Sequence, residues 1–127
     1  MMKIRFAVLA PVILVALVGV GLLASGTARA QANVVCVHEP TISSLRACVQ
    51  HAADEGFIDN QGVTNSLLAK LDAAQAALDR GQTGVAINLL NAFIHGVQAQ
   101  AGKHIQQEHA QDLVMHAQLV IDALKNG

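Results

Sequence analysis

VTNSLLAKLDAAQAALDRGQTGVAINLLNAFIHGVQAQ, residues 63–100, contains two runs of apolar residues at helical spacing on either side of a turn. The first run is rich in Ala and Leu, which are among the strongest helix-forming residues. Gly81, just beyond a basic residue, is typical of a helix end, and Thr83 is the predicted N-cap of the next helix. The stretch predicts antiparallel neighbouring helices over about 63–80 and 84–100, because the connection between them is short.

The apolar pattern continues on both sides of this pair. A helix is predicted to begin after Thr41 or Ser43 and to end at Gly56, and a fourth covers about 106–125. The inward faces of the three longer helices comprise Val63, Leu67, Leu71, Ala74 and Leu78, then Ala86, Leu89, Leu90, Phe93, Ile94 and Val97, then Ala110, Leu113, Ala117, Val120, Ile121 and Leu124. The predicted fold class is all-α: a small bundle of one short helix and three longer antiparallel helices, in a domain over residues 42–127.

The composition excludes several classes of protein. A chain of 127 residues forms one small domain, and 53% hydrophobic residues with a net charge of −1 exclude intrinsic disorder. Eight basic residues against nine acidic ones provide no basic patch for nucleic acid. With three Phe and neither Trp nor Tyr, the chain has no aromatic surface for stacking single strands.

The N-terminal residues 1–30 have the order of parts found in a signal peptide. Lys3 and Arg5 precede an uncharged apolar run, and Ala28-Arg29-Ala30 fits a small-residue cleavage site. The alternative is an uncleaved membrane anchor, because the run approaches the roughly 20 residues that cross a bilayer. Cleavage would leave 97 residues with a net charge of −4. We therefore expect an exported protein, periplasmic or extracellular, that begins with an extended strap at residues 31–41.

Two cysteines, Cys36 and Cys48, follow the predicted cleavage site. An even number of cysteines in an exported chain indicates a disulfide, and their spacing matches no common zinc or haem motif. A catalytic redox pair is the alternative, although such pairs favour Cys-x-x-Cys. We predict a structural disulfide that holds the strap against the first helix.

Six histidines provide the main candidate chemistry. His109, Asp112 and His116 lie along one edge of the fourth helix and form a candidate site for Zn²⁺ or Cu²⁺. The alternative is a solvated polar edge, because the two histidines are nearly two turns apart and the usual helical pair is one turn apart. Neither a catalytic set nor a nucleotide-binding loop is found, so no enzyme activity and no cofactor are predicted.

The order and spacing of the helical region form one pattern over residues 62–74, 77–81, 86–94, 97–100 and 102–103, and the closing helix continues it over 110–124. In this pattern the helical region resembles the FIMAH domain family. The resemblance implies a small helical domain of the kind found as an accessory module in exported bacterial and archaeal proteins. It provides no catalytic motif to transfer to this chain.

These observations predict an exported, non-catalytic helical module that acts by contact with a protein or a component of the cell envelope. The alternative is a periplasmic protein that binds a metal or small ligand at the edge of His109, Asp112 and His116. No nucleic-acid partner is expected. A membrane is expected to be involved only if the N-terminal segment is retained.

Overall fold

A computed structural model describes residues 36–127, and this part of the chain is an all-α bundle. Its helices are α1 (Ile42–Asp54), α2 (Gln61–Asp79), α3 (Thr83–Gln100) and α4 (Gln107–Asn126). The prediction of one short and three longer helices is confirmed, with 13 residues in α1 and 18 to 20 in the others. None of the four is long and apolar enough to cross a bilayer. The predicted signal peptide, residues 1–30, and the first part of the strap lie outside the described residues.

Side-chain caps decide where α1 and α2 begin. The Thr41 hydroxyl accepts a hydrogen bond from the Ser44 backbone N–H at 3.1 Å, so Thr41 is the N-cap of α1. The Asn60 side chain accepts from the Val63 N–H, also at 3.1 Å, and α2 begins two residues before the predicted position. A short polar side chain at each start satisfies a backbone donor that the helix leaves unpaired.

The turn between α2 and α3 lies one residue earlier than the sequence predicts. Gly81 has a φ of +73°, a backbone conformation that glycine adopts without steric cost. The Gln82 N–H donates to the Ala77 carbonyl at 2.8 Å, and Gln82 is the residue that precedes α3. Thr83 is therefore the first residue of α3, and the prediction of Thr83 as N-cap is wrong.

The four helices form a closed ring of neighbours. α1 packs on α2 and α4, while α3 completes the ring between α2 and α4. Fully buried alanines at Ala74, Ala77, Ala86 and Ala117 lie in the core beside Phe93, which is also fully buried. Because alanine projects only a methyl group, these positions allow the helix backbones to approach closely.

Two loops pair with each other where α1 ends. The Asp59 N–H donates to the His104 carbonyl, and the Gln106 N–H donates to the Phe57 carbonyl, both at 3.0 Å. Ile58 lies beneath this pairing, 3% exposed, and Ile105 of the facing loop is 1% exposed. The paired loops, residues 55–60 and 101–106, therefore close the bundle with backbone hydrogen bonds over an apolar floor.

Candidate functional site

The strap is fixed to α1 by a covalent bond and by a serine. Cys36 and Cys48 form a disulfide, with their Cα atoms 4.7 Å apart, which confirms the predicted pairing. The Ser44 hydroxyl donates to the Val37 carbonyl and accepts from the Glu39 N–H. Because the serine contacts do not involve sulfur, they hold residues 37–39 near α1 independently of the disulfide.

The strap also contacts α4, through a histidine. His116 has no exposed surface, and one of its ring nitrogens, Nε2, lies 2.6 Å from the Glu39 carbonyl oxygen. Burial lowers the pKa of His116, a change that the hydrogen bond to Glu39 opposes and the nearby His38 reinforces. The ring is therefore neutral near pH 7. Since a carbonyl can only accept, Nε2 carries the proton and Nδ1 has a free lone pair.

The His116 ring is part of a compact group of nitrogen and sulfur atoms. A ring nitrogen of His116 and the sulfurs of Cys36 and Cys48 all lie within 4.8 Å of one another. Nε2 of His38 is 4.0 Å from the Cys36 sulfur, and the His38 and His116 ring centres are 4.9 Å apart. We call these four residues the strap cluster. Within the described residues, the buried Nδ1 of His116 has no hydrogen-bond partner.

The three predicted metal ligands of α4, His109, Asp112 and His116, do not lie together in one site. His109 stacks on Phe57, with ring centres 3.7 Å apart and an angle of 15° between the planes. Asp112 is exposed to solvent, whereas His116 belongs to the strap cluster. The structure brings His116 to the two cysteines and places neither His109 nor Asp112 in that group. The interpretation of this edge as solvated is wrong for His116.

Sequence reasoning named His116 as a candidate ligand but grouped it with His109 and Asp112, and it missed His38, although the sequence carried a signal for both placements. His116 is three residues after Leu113 and four before Val120, two core positions of α4. A slightly wider apolar face would have included it. His38 is two residues after Cys36, and this proximity in sequence would have placed an imidazole beside the sulfur.

A second candidate site is a groove between α3 and α4, with a volume of about 510 Å³. Its lining consists of four glutamines and four apolar residues: Gln98, Gln107, Gln111, Gln118, Ala101, Ala110, Val114 and Met115. Among residues 36–127, no ionisable or aromatic side chain contributes to it. Met115 is 57% exposed, and Leu119, one turn further along α4, is 45% exposed. The groove therefore offers amide groups around an uncharged, apolar floor.

The paired loops carry one polar contact between side chains. Nδ1 of His104 lies 2.8 Å from a carboxylate oxygen of Asp59, and both side chains are about half exposed. Exposed pairs of this kind contribute little to stability because water and salt screen them. The contact fixes the orientation of two side chains that line a small cavity of about 180 Å³.

A comparison with known families assigns the helical region. The FIMAH domain profile matches residues 42–122, which include α1 to α3 and most of α4. This chain belongs to the FIMAH domain family. FIMAH domains are small accessory helical domains, and the observed bundle has that character. Comparison with curated proteins and with solved structures found no match.

The FIMAH match divides the strap cluster in two. Cys48 and His116 lie within the matched residues, whereas Cys36 and His38 precede them. The groove lies wholly within the match, because its lining residues run from Gln98 to Gln118. The groove is thus built by the FIMAH bundle alone, and the strap cluster requires the segment ahead of it.

Proposed function

We propose that this FIMAH protein is an exported, non-catalytic module that holds an uncharged segment of a partner protein in the α3–α4 groove. The observation that carries the proposal is the groove itself, with four glutamines around an apolar floor and no ionisable side chain. Glutamine amides can donate to and accept from the backbone of an extended peptide. The disulfide fits an oxidising compartment outside the cytosol.

The charge of the groove favours an uncharged peptide over other partners. Burying a partner's charge against Ala101, Ala110 and Val114 would leave that charge without a counterion, at a cost of several kcal/mol. A sugar ring would find no aromatic face to stack on. An extended peptide with small or apolar side chains could place them near Met115 and direct its amide groups to the glutamines.

A matched pair of glutamines tests this surface. A photo-cross-linking amino acid replaces Gln111 at the groove or Gln75 on the exposed face of α2, and both proteins are produced in the native host. We expect one exported protein to be captured from position 111 and not from position 75. Capture from both positions equally, or of glycan alone, would refute a protein-binding groove.

The captured protein then provides the decisive measurement. Its cross-linked segment, made as a peptide, should bind the purified protein with little dependence on salt, since neutral partners have no charges to screen. Gln111→Glu should weaken binding about tenfold, equivalent to about 1.4 kcal/mol, by placing a charge in the groove. Gln75→Glu adds the same charge elsewhere and should leave the affinity unchanged. Equal affinities for the two variants would contradict the proposal.

A further inference from the structure

The strap cluster brings together side chains that are far apart in sequence. Glu39 on the strap and His116 on α4 are separated by 77 residues, yet they share a hydrogen bond of 2.6 Å. That contact brings the His116 ring to the two cysteine sulfurs. The set contains two sulfurs and two imidazoles, which are the preferred ligands of tetrahedral zinc sites in proteins.

We propose that, when its thiols are reduced, this chain binds one Zn²⁺ through Cys36, Cys48, His116 and His38, and that zinc and the disulfide exclude one another. Both sulfurs are engaged in the S–S bond of the oxidised chain, so they become zinc ligands only after that bond is broken. The thiol form also exists in any newly made chain before oxidation. The site would therefore distinguish reduced from oxidised protein.

The distances in the cluster require only small movements of the ligands. In tetrahedral sites, Zn–S bonds of about 2.3 Å and Zn–N bonds of about 2.0 Å separate neighbouring ligand atoms by about 3.5 Å. His38 Nε2 and the Cys36 sulfur are 4.0 Å apart, and the three-residue group of Cys36, Cys48 and His116 lies within 4.8 Å. Once the disulfide opens, rotation about the side-chain bonds would move the two sulfurs apart and bring the ring nitrogens closer to them.

The Glu39 carbonyl prepares His116 for this role. Histidines that bind metals usually donate their other ring N–H to a carbonyl or carboxylate, which fixes the tautomer and the ring orientation. The Nε2–H of His116 donates to Glu39 in this way and leaves Nδ1 as the available ligand atom. In the oxidised chain this buried nitrogen has no other partner among the described residues.

The cluster should persist after reduction because other contacts hold the strap. Ser44 binds both Val37 and Glu39, and neither bond involves a cysteine. Cys48 lies on α1 and is 2% exposed, within the core of the bundle, so its position depends on helix packing. Reduction therefore frees the two sulfurs while the strap and α1 remain in contact.

The redox balance of the site is simple. A phosphine reductant takes an oxygen atom from water and becomes a phosphine oxide, while the S–S bond accepts two electrons and two protons to give two thiols. Zn²⁺ then displaces both thiol protons and binds two thiolates and two neutral imidazoles. The reverse oxidation by glutathione disulfide yields two molecules of glutathione and re-forms the protein disulfide.

Cobalt titration tests the site directly. The protein, purified from an exporting host with its N-terminus as that host leaves it, is reduced with phosphine and titrated with Co²⁺ as a spectroscopic substitute for Zn²⁺. We expect one ion per chain, a thiolate-to-cobalt charge-transfer band and visible bands of tetrahedral cobalt. The oxidised protein should show neither set of bands. Reduced protein without the charge-transfer band would overturn the proposal.

Histidine variants separate this site from a simple pair of thiols. His116→Gln should weaken Co²⁺ binding by more than roughly tenfold, since even changes behind a ligand cost about 10- to 100-fold. His95→Gln makes the same substitution at an exposed position of α3 and should have no effect. His38→Gln alters only an exposed strap residue, so its expected loss of affinity does not depend on the stability of the core. Unchanged affinity in both cluster variants would overturn the proposed ligand set.

A competition experiment tests the exclusion between zinc and disulfide. The reduced protein is exposed to glutathione disulfide with and without saturating Zn²⁺, and free thiols are counted by alkylation and mass spectrometry. We expect Zn²⁺ to slow loss of the thiols at least tenfold, and His116→Gln to remove most of that protection. Oxidation at the same rate with and without Zn²⁺ would refute the exclusion.

Discussion

The strap closes the bundle where α1 begins, and the paired loops close it where α1 ends. The strap is held by a disulfide and by a fully buried imidazole. The paired loops are held by backbone hydrogen bonds over buried Ile58 and Ile105, with an exposed contact between Asp59 and His104. The two closures therefore respond to different changes. A reductant or a proton can act on the strap, whereas the paired loops depend mainly on apolar contact.

Removing the disulfide should have the largest effect. The Cys36→Ala, Cys48→Ala double variant should lose about 3 kcal/mol of unfolding free energy, because the unfolded chain is no longer constrained by a short covalent loop. Urea unfolding of the variant and of the reduced wild type measures this loss. The Glu39 and Thr41 amides should exchange hydrogen faster, while Asp59 and Gln106 remain protected. Equal acceleration at both closures would remove the distinction between them.

Truncating Phe57 should have the next largest effect, at the paired loops. Phe57 is partly buried and stacks on His109, so Phe57→Ala should cost about 2 kcal/mol, below the range for fully buried aromatic residues. Phe57→Leu is the control that keeps apolar bulk and loses the stacked ring. It should cost about 1 kcal/mol. Thermal unfolding with and without reductant should show the same loss, and a loss dependent on reductant would indicate coupling between the closures.

Acid should weaken the strap more than the paired loops. Burial lowers the pKa of His116 in the folded chain below the ordinary histidine value of 6.5, so the folded state binds fewer protons than the unfolded state. Its stabilising effect is complete above that value and is lost as the pH falls through the lower folded pKa. Urea unfolding between pH 7 and pH 5 should show this decline in wild type and less of it in His116→Gln. The same decline in both proteins would assign it to another group.

Breaking the exposed pair should have the smallest effect. Asp59→Asn should change the unfolding free energy by less than about 1 kcal/mol, because its contact with His104 is screened by water. Added salt should reduce even that difference. A larger loss, measured by urea unfolding, would mean that the pair contributes more to the paired loops than their backbone hydrogen bonds suggest. Asp112→Asn, at an exposed position of α4, is the matched control.

Most of the bundle could be predicted because its determinants are local in sequence. Leu67, Leu71 and Ala74 recur at helical spacing and are buried, and Gly81 ends α2 in the predicted turn. The disulfide followed from the number of cysteines and the predicted compartment. These features need no knowledge of which distant residue lies nearby, so periodicity and composition were sufficient.

The position of the two histidines beside the disulfide was not predicted because it depends on contacts across the fold. The position of His116 at the edge of the apolar face is compatible with either exposure or burial. In the fold the ring is buried, with Nε2 bonded to the Glu39 carbonyl. Backbone carbonyls carry no residue-specific signal in a sequence. The α3–α4 groove was missed for a related reason: the spacing of Gln98 and Gln111 does not reveal the gap between their helices.

The disulfide also determines where mechanical load enters the bundle. Tension on the chain ahead of Cys36 passes through the sulfur bridge to Cys48, in the middle of α1, and bypasses residues 37–47. Cys48 lies beside Leu45 and Val49, which are fully buried. The force therefore acts on residues packed in the core and does not unfold α1 from its first turn. After reduction the same pull acts first on the strap. The Cys36–Cys48 bridge thus makes the oxidised domain a firmer mechanical attachment than the reduced one.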